Sequence, residues 1–388
     1  MKERKSQLKE LLESFSAERV KRNISTEDIE RELILGPGWL KNIESGKVST
    51  SLEMFFAILR ASKIPLSAIC SNLKEENTQE VPRHISAYQA GNDLEIHFKY
   101  AKHDAVHKLE SASLEHFNDV VKTLRDGLSK LVSAKATQTE AIKSEAVSAA
   151  FIKAVGYWPT ANPSNIWWFI IYRAYLDPFN HPAKFSRLSF EQSWKRTGGW
   201  ALEEILVRHY SESLAAKGIK IFIAPNAIRG SLLGQAQANV LHRLEADKAD
   251  IFLTGEKEGK EIFFGVVHVK ASFAERRTDD VPMSKALVDG GYASPLWTMD
   301  CKSTPSTYPT NKGELGVVKP ASGKDSRSAK RKDIEDDGFF SACFSYNHNT
   351  KPTPQNQKTK AKIFKCDFNN PESDAFHQFI CDSWDRFK

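Results

Sequence analysis

Apolar residues recur at helical spacing through the first 76 residues and then change period. The chain changes character from 81 to about 109, and within it the side chains of 84–100 alternate about Ala90-Gly91-Asn92-Asp93, which predicts a β-hairpin. Helical spacing returns at 113–133 and 138–154, followed by an aromatic stretch, 157–179, that prolines break into a helix with irregular flanks. Beyond Trp194 the pattern predicts a helix over 199–217 stopped by Gly218, a strand at 219–224 and a helix at 234–244. Strands follow at 249–254 and 262–271 around a charged turn, with another at 295–299. The polar run 321–338 reads as a mobile loop or a solvated helix, before a strand at 340–346 and a last helix at 374–387. The expected organisation is multidomain: an all-α module, 1–76, a connecting α/β segment, 77–135, and an α/β domain with a mixed central sheet, 136–388.

With 388 residues and 40% apolar content there is material for more than one core, and the composition is not that of a disordered chain. The formal charge of +6 agrees with a nucleic-acid partner without requiring one. Five scattered cysteines with no C-x-x-C pair argue against a zinc site or a disulfide framework. The start is charged and helical rather than leader-like, and the longest apolar run, 166–172, is too short to span a bilayer. The expectation is a soluble cytoplasmic protein.

Residues 24–66 carry the first specific signal. Ser25 is placed to cap a helix presenting Ile29 and Leu33, and Gly36-Pro37-Gly38 turns the chain into a short helix, 39–45, closed by Gly46. A third helix, 51–61, shows Leu52, Phe55, Phe56 and Leu59 on one side. This segment resembles the lambda-repressor/XRE type of helix-turn-helix domain, through I-S-T-E-D-I-E-R-E-L-I, I-E-S-G-K and S-L-E-M-F-F-A-I-L. The resemblance makes the second helix the reader of a major groove. It places Trp39, Lys41, Asn42 and Lys47 toward DNA and Leu40 and Ile43 in the core. A tryptophan is bulky for a groove, so packing is the alternative for Trp39, and a bundle for protein contacts is the alternative for the module.

Phosphodiester hydrolysis at neutral pH is helped by a divalent cation held by carboxylates beside a lysine. The stretch K-A-D-I-F-L-T-G-E-K-E-G-K-E-I-F-F-G-V-V-H-V-K-A-S suits this, with Asp250 opening one strand and Lys270 ending the next. Neighbouring strands bring them to a common rim, with His268 on the same face as Lys270. Together with the helix containing G-W-A-L-E-E and the strand I-K-I-F-I-A, this order resembles the PD-(D/E)xK nucleases, type II restriction endonucleases in particular. Two positions depart from the motif: Ala249 stands where proline is usual, and His268 stands where the acid is expected. The replacement acid is expected from Glu203, then Glu204, with Glu275 as a further candidate, or else His268 acts directly.

The resemblance implies Mg²⁺ on Asp250 and Glu203, with Lys270 orienting or deprotonating water. It also implies double-stranded DNA as substrate, a homodimer, and a cognate DNA methyltransferase serving phage defence. Arg276 and Arg277 are placed for phosphate or guanine contacts, while Asp279 and Asp280 are read as caps of a helix beginning near Pro282. Asp300 and Lys302 form a weaker second D-x-K string. Alternatives are a non-catalytic DNA-binding regulator and a less specific repair or defence nuclease.

Overall fold

The computed structural model describes residues 2–45, 47–48, 50, 52–65, 68–69, 83–100, 103–177, 190–237, 239–240, 244–272, 277–301, 311–320 and 322–388. The chain divides into two compact units, Met1–Glu80 and Val81–Lys388.

The first unit contains α1 (Lys2–Lys21), α2 (Thr26–Glu32), α3 (Trp39–Glu44) and α4 (Leu52–Ser62). Its core is Phe15, Ile29, Leu40, Ile43, Phe55 and Ile58, one or two from each helix, as expected when short helices gain stability from packing rather than propensity. Ser25 Oγ accepts from Asp28 N at 3.3 Å and caps α2. The turn into α3 ends on Gly38 at φ 79°, a left-handed backbone that favours glycine. Gly38 has no side chain with which to cap α3, and the buried carboxylate of Glu30 supplies the acceptor from α2. It takes Gly38 N at 3.0 Å and Leu40 N at 2.7 Å. Arg19 grips Glu44 with two bonds of 2.7 and 2.9 Å, tying α1 to α3. Gly46 lies outside the described residues.

The second unit opens with an antiparallel meander of β1 (Arg83–Ala90), β2 (Asp93–Tyr100) and β3 (His103–Leu109). The helices α5 (Leu114–Ser129), α6 (Thr139–Tyr157), α7 (Pro163–Leu176) and α8 (Phe190–Ala215) come next. Then come β4 (Ile219–Phe222), α9 (Asn226–Gln237), β5 (Ile251–Lys257), β6 (Lys260–Lys270), α10 (Arg277–Asp289) and β7 (Leu296–Thr298). The chain finishes with α11 (Ala329–Glu335), β8 (Cys343–Ser345), β9 (Ile363–Lys365) and α12 (Ala375–Phe387). Strands β4 to β9 form one sheet in chain order, antiparallel through β6 and parallel from β6 to β9. This is an α/β fold with a mixed sheet.

Each face of the sheet has its own core. Val267 and Val269 of β6 join the large cluster that includes α6, α7, α8 and α12, where Trp158, Trp167 and Trp168 are buried. Phe252 and Val266 face the other way, onto Leu233 of α9 and Met283 and Leu287 of α10. The meander and α5 contribute Leu94, Ile96, Val120 and Leu124 to the large core, so residues 81–135 fold as part of the second unit instead of standing apart as a connector. Gly265 permits a close approach: a Cβ there would fall 2.2 Å from Ala293 O, which instead accepts Val266 N at 2.9 Å.

The structure departs from the sequence pattern in several places. The helix expected at 234–244 runs instead from Asn226 to Gln237. The helix expected from 199 begins at Phe190, and β3 and β9 are strands that the pattern does not single out. The polar run 321–338 contains a helix with a wholly buried arginine. Arg331 meets Glu335 at 2.7 Å, and Glu335 also takes Arg327 at 2.9 Å, so these charges neutralise one another inside. Pairing in three dimensions, invisible to periodicity, makes burial tolerable there.

Candidate active site

Asp250 sits one residue before β5, and β5 pairs with β6 so that Ile251 lies opposite Val267. That register carries Asp250 to the end of β6. Its Oδ2 accepts from Val269 N and from Lys270 Nζ, both at 2.8 Å. Lys270 Nζ also lies 3.2 Å from Asp280 Oδ2. One ammonium thus bridges two carboxylates contributed by a strand end and the following helix. Lys270 and Asp250 keep a little solvent exposure, 16% of each side chain, so the group opens at a rim.

Charge governs the group. Burial acts to lower the Lys270 pKa, but the charges of Asp250 and Asp280 and the hydrogen bonds to both outweigh it, raising the value above the ordinary one. Glu203 of α8 completes the set. Burial first, and then the negative charge of Asp250, push its carboxyl up to about 8 against the pull of Lys270 and Arg229. Arg229 of α9 is anchored close by, donating to Ala224 O at 2.8 Å and to Ala249 O at 3.3 Å.

The other expected residues among those described make different contacts. His268 shares the face of Lys270 but has no exposed surface. Its Nε2 is 3.0 Å from Ser294 Oγ and its ring packs edge-on against Phe340. Burial lowers its pKa, with Asp280 and Asp250 opposing, so the ring is neutral near pH 7 and turned away from solvent. Glu204 is engaged by Arg208 at 2.8 Å, the i, i+4 partner on its own helix, and Arg208 also meets Glu145. Glu275, Arg276 and Lys302 lie outside the described residues, and Arg277 is the first residue of α10. Asp300 is buried, with Glu314 N at 2.6 Å and Leu315 N at 3.1 Å on one oxygen and Thr350 Oγ1 on the other. It secures a loop rather than facing solvent.

Asp280 is the residue that sequence reasoning placed differently. The pattern made it a cap of a helix starting near Pro282, yet α10 begins at Arg277 and holds Pro282 within it. Asp280, Met283, Ser284 and Leu287 all lie buried on this helix, at the i, i+3, i+4, i+7 spacing of one face. That spacing was readable, and it would have turned Asp280 inward.

In the first unit Trp39 is half-buried against the core, while Lys41, Asn42 and Lys47 are exposed. Lys41 pairs with Glu27 at 3.2 Å, and the Asn42 carbonyl accepts from Lys47 N at 2.9 Å. Leu40 and Ile43 are fully buried.

Among the described residues, no three His, Cys, Asp or Glu side chains converge as a ready metal cage. The donor chemistry at the β6 rim is nevertheless that suited to a hard cation: carboxylate oxygens, two of them already sharing a positive charge and a third, on Glu203, raised in pKa by burial and then by the charge of Asp250. No helix among the described residues is long and apolar enough to cross a membrane.

The chain is 34% identical over 250 residues to the type II restriction enzyme AgeI of Thalassovita gelatinovora, an alignment covering 61% of this chain and 82% of that enzyme. It is also similar to the crystal structure of a specific restriction endonuclease AgeI–DNA complex, with a TM-score of 0.59 and 28% identity over 77% of this chain and 99% of the other. No protein-family model matches the chain.

Proposed function

The chain belongs to the type II restriction enzymes and is a sequence-specific restriction endonuclease; from that premise we propose that Asp250, Lys270, Asp280 and Glu203 are its phosphodiester-cleaving site. The observation that carries this reading is the Lys270 ammonium held between Asp250 and Asp280 at the end of β6. It is the arrangement of a PD-(D/E)xK site in which the acid has moved from the position of His268 to the next helix.

Asp250, Asp280 and Glu203 are the residues to hold Mg²⁺. When bound, the ion supplies neutralisation of the phosphate and a lowered pKa for bound water. Lys270 is kept protonated by its two carboxylates, so it donates charge and hydrogen bonds to the scissile phosphate instead of taking a proton from water. Glu203 keeps its proton because it is buried and, secondarily, because Asp250 repels a second charge, so its ionisation and cation binding are linked. Restriction of double-stranded DNA in a cytoplasmic phage-defence system, by a homodimer that cuts both strands and is matched by a methyltransferase, extends the same reading. The first unit is proposed as a helix-turn-helix that contacts DNA through exposed Lys41, Asn42 and Lys47 of α3 and the turn after it, with Trp39 serving the core.

Plasmid DNA incubated with the protein and Mg²⁺ tests this. Discrete fragments are expected, with none from Lys270→Ala although that variant still binds DNA. Full cleavage by Lys270→Ala removes the site assignment.

A further inference from the structure

Two residues before Lys270, where the motif places an acid, stands a histidine with one ring nitrogen engaged and the other idle. Among the described residues His268 Nδ1 has no hydrogen-bond partner, although the side chain is wholly buried. A buried polar atom left unpaired is unfavourable, and an apolar side chain in its place would carry no such penalty. The advantage of the histidine therefore lies in Nε2.

Nε2 meets Ser294 Oγ at 3.0 Å, and Ser294 Oγ meets Ser284 Oγ at 2.8 Å. Ser294 is a fixed post. Its N donates to Ser341 Oγ at 2.9 Å and its O accepts from Ser341 N at 3.0 Å. On either side of it, Ala293 O and Pro295 O accept from Val266 N and His268 N of β6, both at 2.9 Å. Ser284 belongs to α10, one turn after Asp280 and on the same buried face. Pro282 also lacks the amide hydrogen that would bind back into the first turn of α10, where Asp280 sits. That turn is held by its own helix less firmly than usual.

We propose that His268 is a positioning residue: through Ser294 and Ser284 it sets α10 against β6 so that Asp280 meets Lys270. Either ring tautomer sustains the relay, because the Ser294 hydroxyl both donates and accepts. The inference rests on the reading that Asp280 belongs to the cleavage site, and it replaces the direct catalytic part expected of His268 with an indirect one.

The test compares kcat and KM for plasmid cleavage by the full-length protein and by Ser284→Ala, His268→Leu, His268→Gln, the His268→Leu/Ser284→Ala double variant and Asp280→Asn. Ser284→Ala and His268→Leu should each lower kcat by about 10- to 100-fold with little change in KM, the signature of misplaced catalytic groups rather than lost DNA binding. His268→Gln, whose amide reaches the place of Nε2, should restore most of the loss. The double variant should be no slower than the slower single one, since both changes break one relay. A wild-type kcat for Ser284→Ala, multiplying losses, or a glutamine no better than leucine overturns the proposal. If His268→Leu does not fold, Ser284→Ala decides alone. Wild-type cleavage by Asp280→Asn defeats the site reading itself, whereas a slow Asp280→Asn beside a normal Ser284→Ala defeats only the relay.

Discussion

The Lys270 ammonium lies 3.2 Å from the Asp280 carboxylate, joining the last residue of β6 to the first turn of α10. The contact gives the lysine a second acid besides Asp250 and brings the helix after the strand to the proposed site. Asp280→Asn removes a charge that faces the ammonium directly, and cleavage should fall by about 10²- to 10³-fold. Glu204→Gln, by contrast, only releases Arg208 on the surface of α8 and should leave cleavage within about twofold, in keeping with the small worth of exposed ion pairs. Single-turnover cleavage of plasmid DNA by both variants checks the pair. Equal losses would contradict the assignment of the acids.

Glu203 predicts a pH dependence with a definite sign. Its folded pKa of about 8 is above the ordinary carboxylate value, so the native protein binds a proton there that the unfolded chain releases near 4.5. The stability this provides is complete below about pH 4.5 and is lost as pH rises through about 8. Metal-free protein should therefore melt at progressively lower temperature across that window, and Glu203→Gln should flatten this part of the profile. Calorimetric melting in EDTA at a series of pH values measures it.

The buried Glu30 carboxylate is the cap of α3 in the first unit. Glu30→Ala leaves two amides without an acceptor and should cost about 1–2 kcal/mol locally. Hydrogen exchange on the full chain should show roughly 5- to 30-fold loss of protection at Leu40, with the amides of β6 unchanged. Unaltered protection at Leu40 would show that the cap contributes nothing.

Exposed Lys41, Asn42 and Lys47 offer a direct test of DNA contact by the first unit. Lys47→Ala should weaken DNA binding and reduce the salt slope by about one if the lysine touches phosphate. Asn42→Ala should cost about 1–3 kcal/mol on a preferred sequence if it reads a base. Binding titrations at several salt concentrations distinguish the two, and wild-type affinity in both variants would argue for a unit that contacts protein instead.

Much of this protein was determined locally. Strand alternation and the turn after Lys257 bring β5 back beside β6, so Asp250 and Lys270 had to come close once both strands formed. Ser25 and Gly218 punctuate helices by chemistry that acts within a few residues, and their positions are readable without any fold. What sequence left open depended on contacts between elements distant along the chain. Whether Glu203 or Glu204 turns to the rim is settled by how α8 packs against the sheet, and whether His268 faces solvent by Ser294 and Phe340 arriving from later segments. Asp280 looked like a cap because Pro282 marks a helix start, and only the docking of α10 on β6 turned its carboxylate to Lys270. Periodicity records which face of an element is apolar; which polar group meets which is decided when the faces close, because a charge is stable inside only beside its partner.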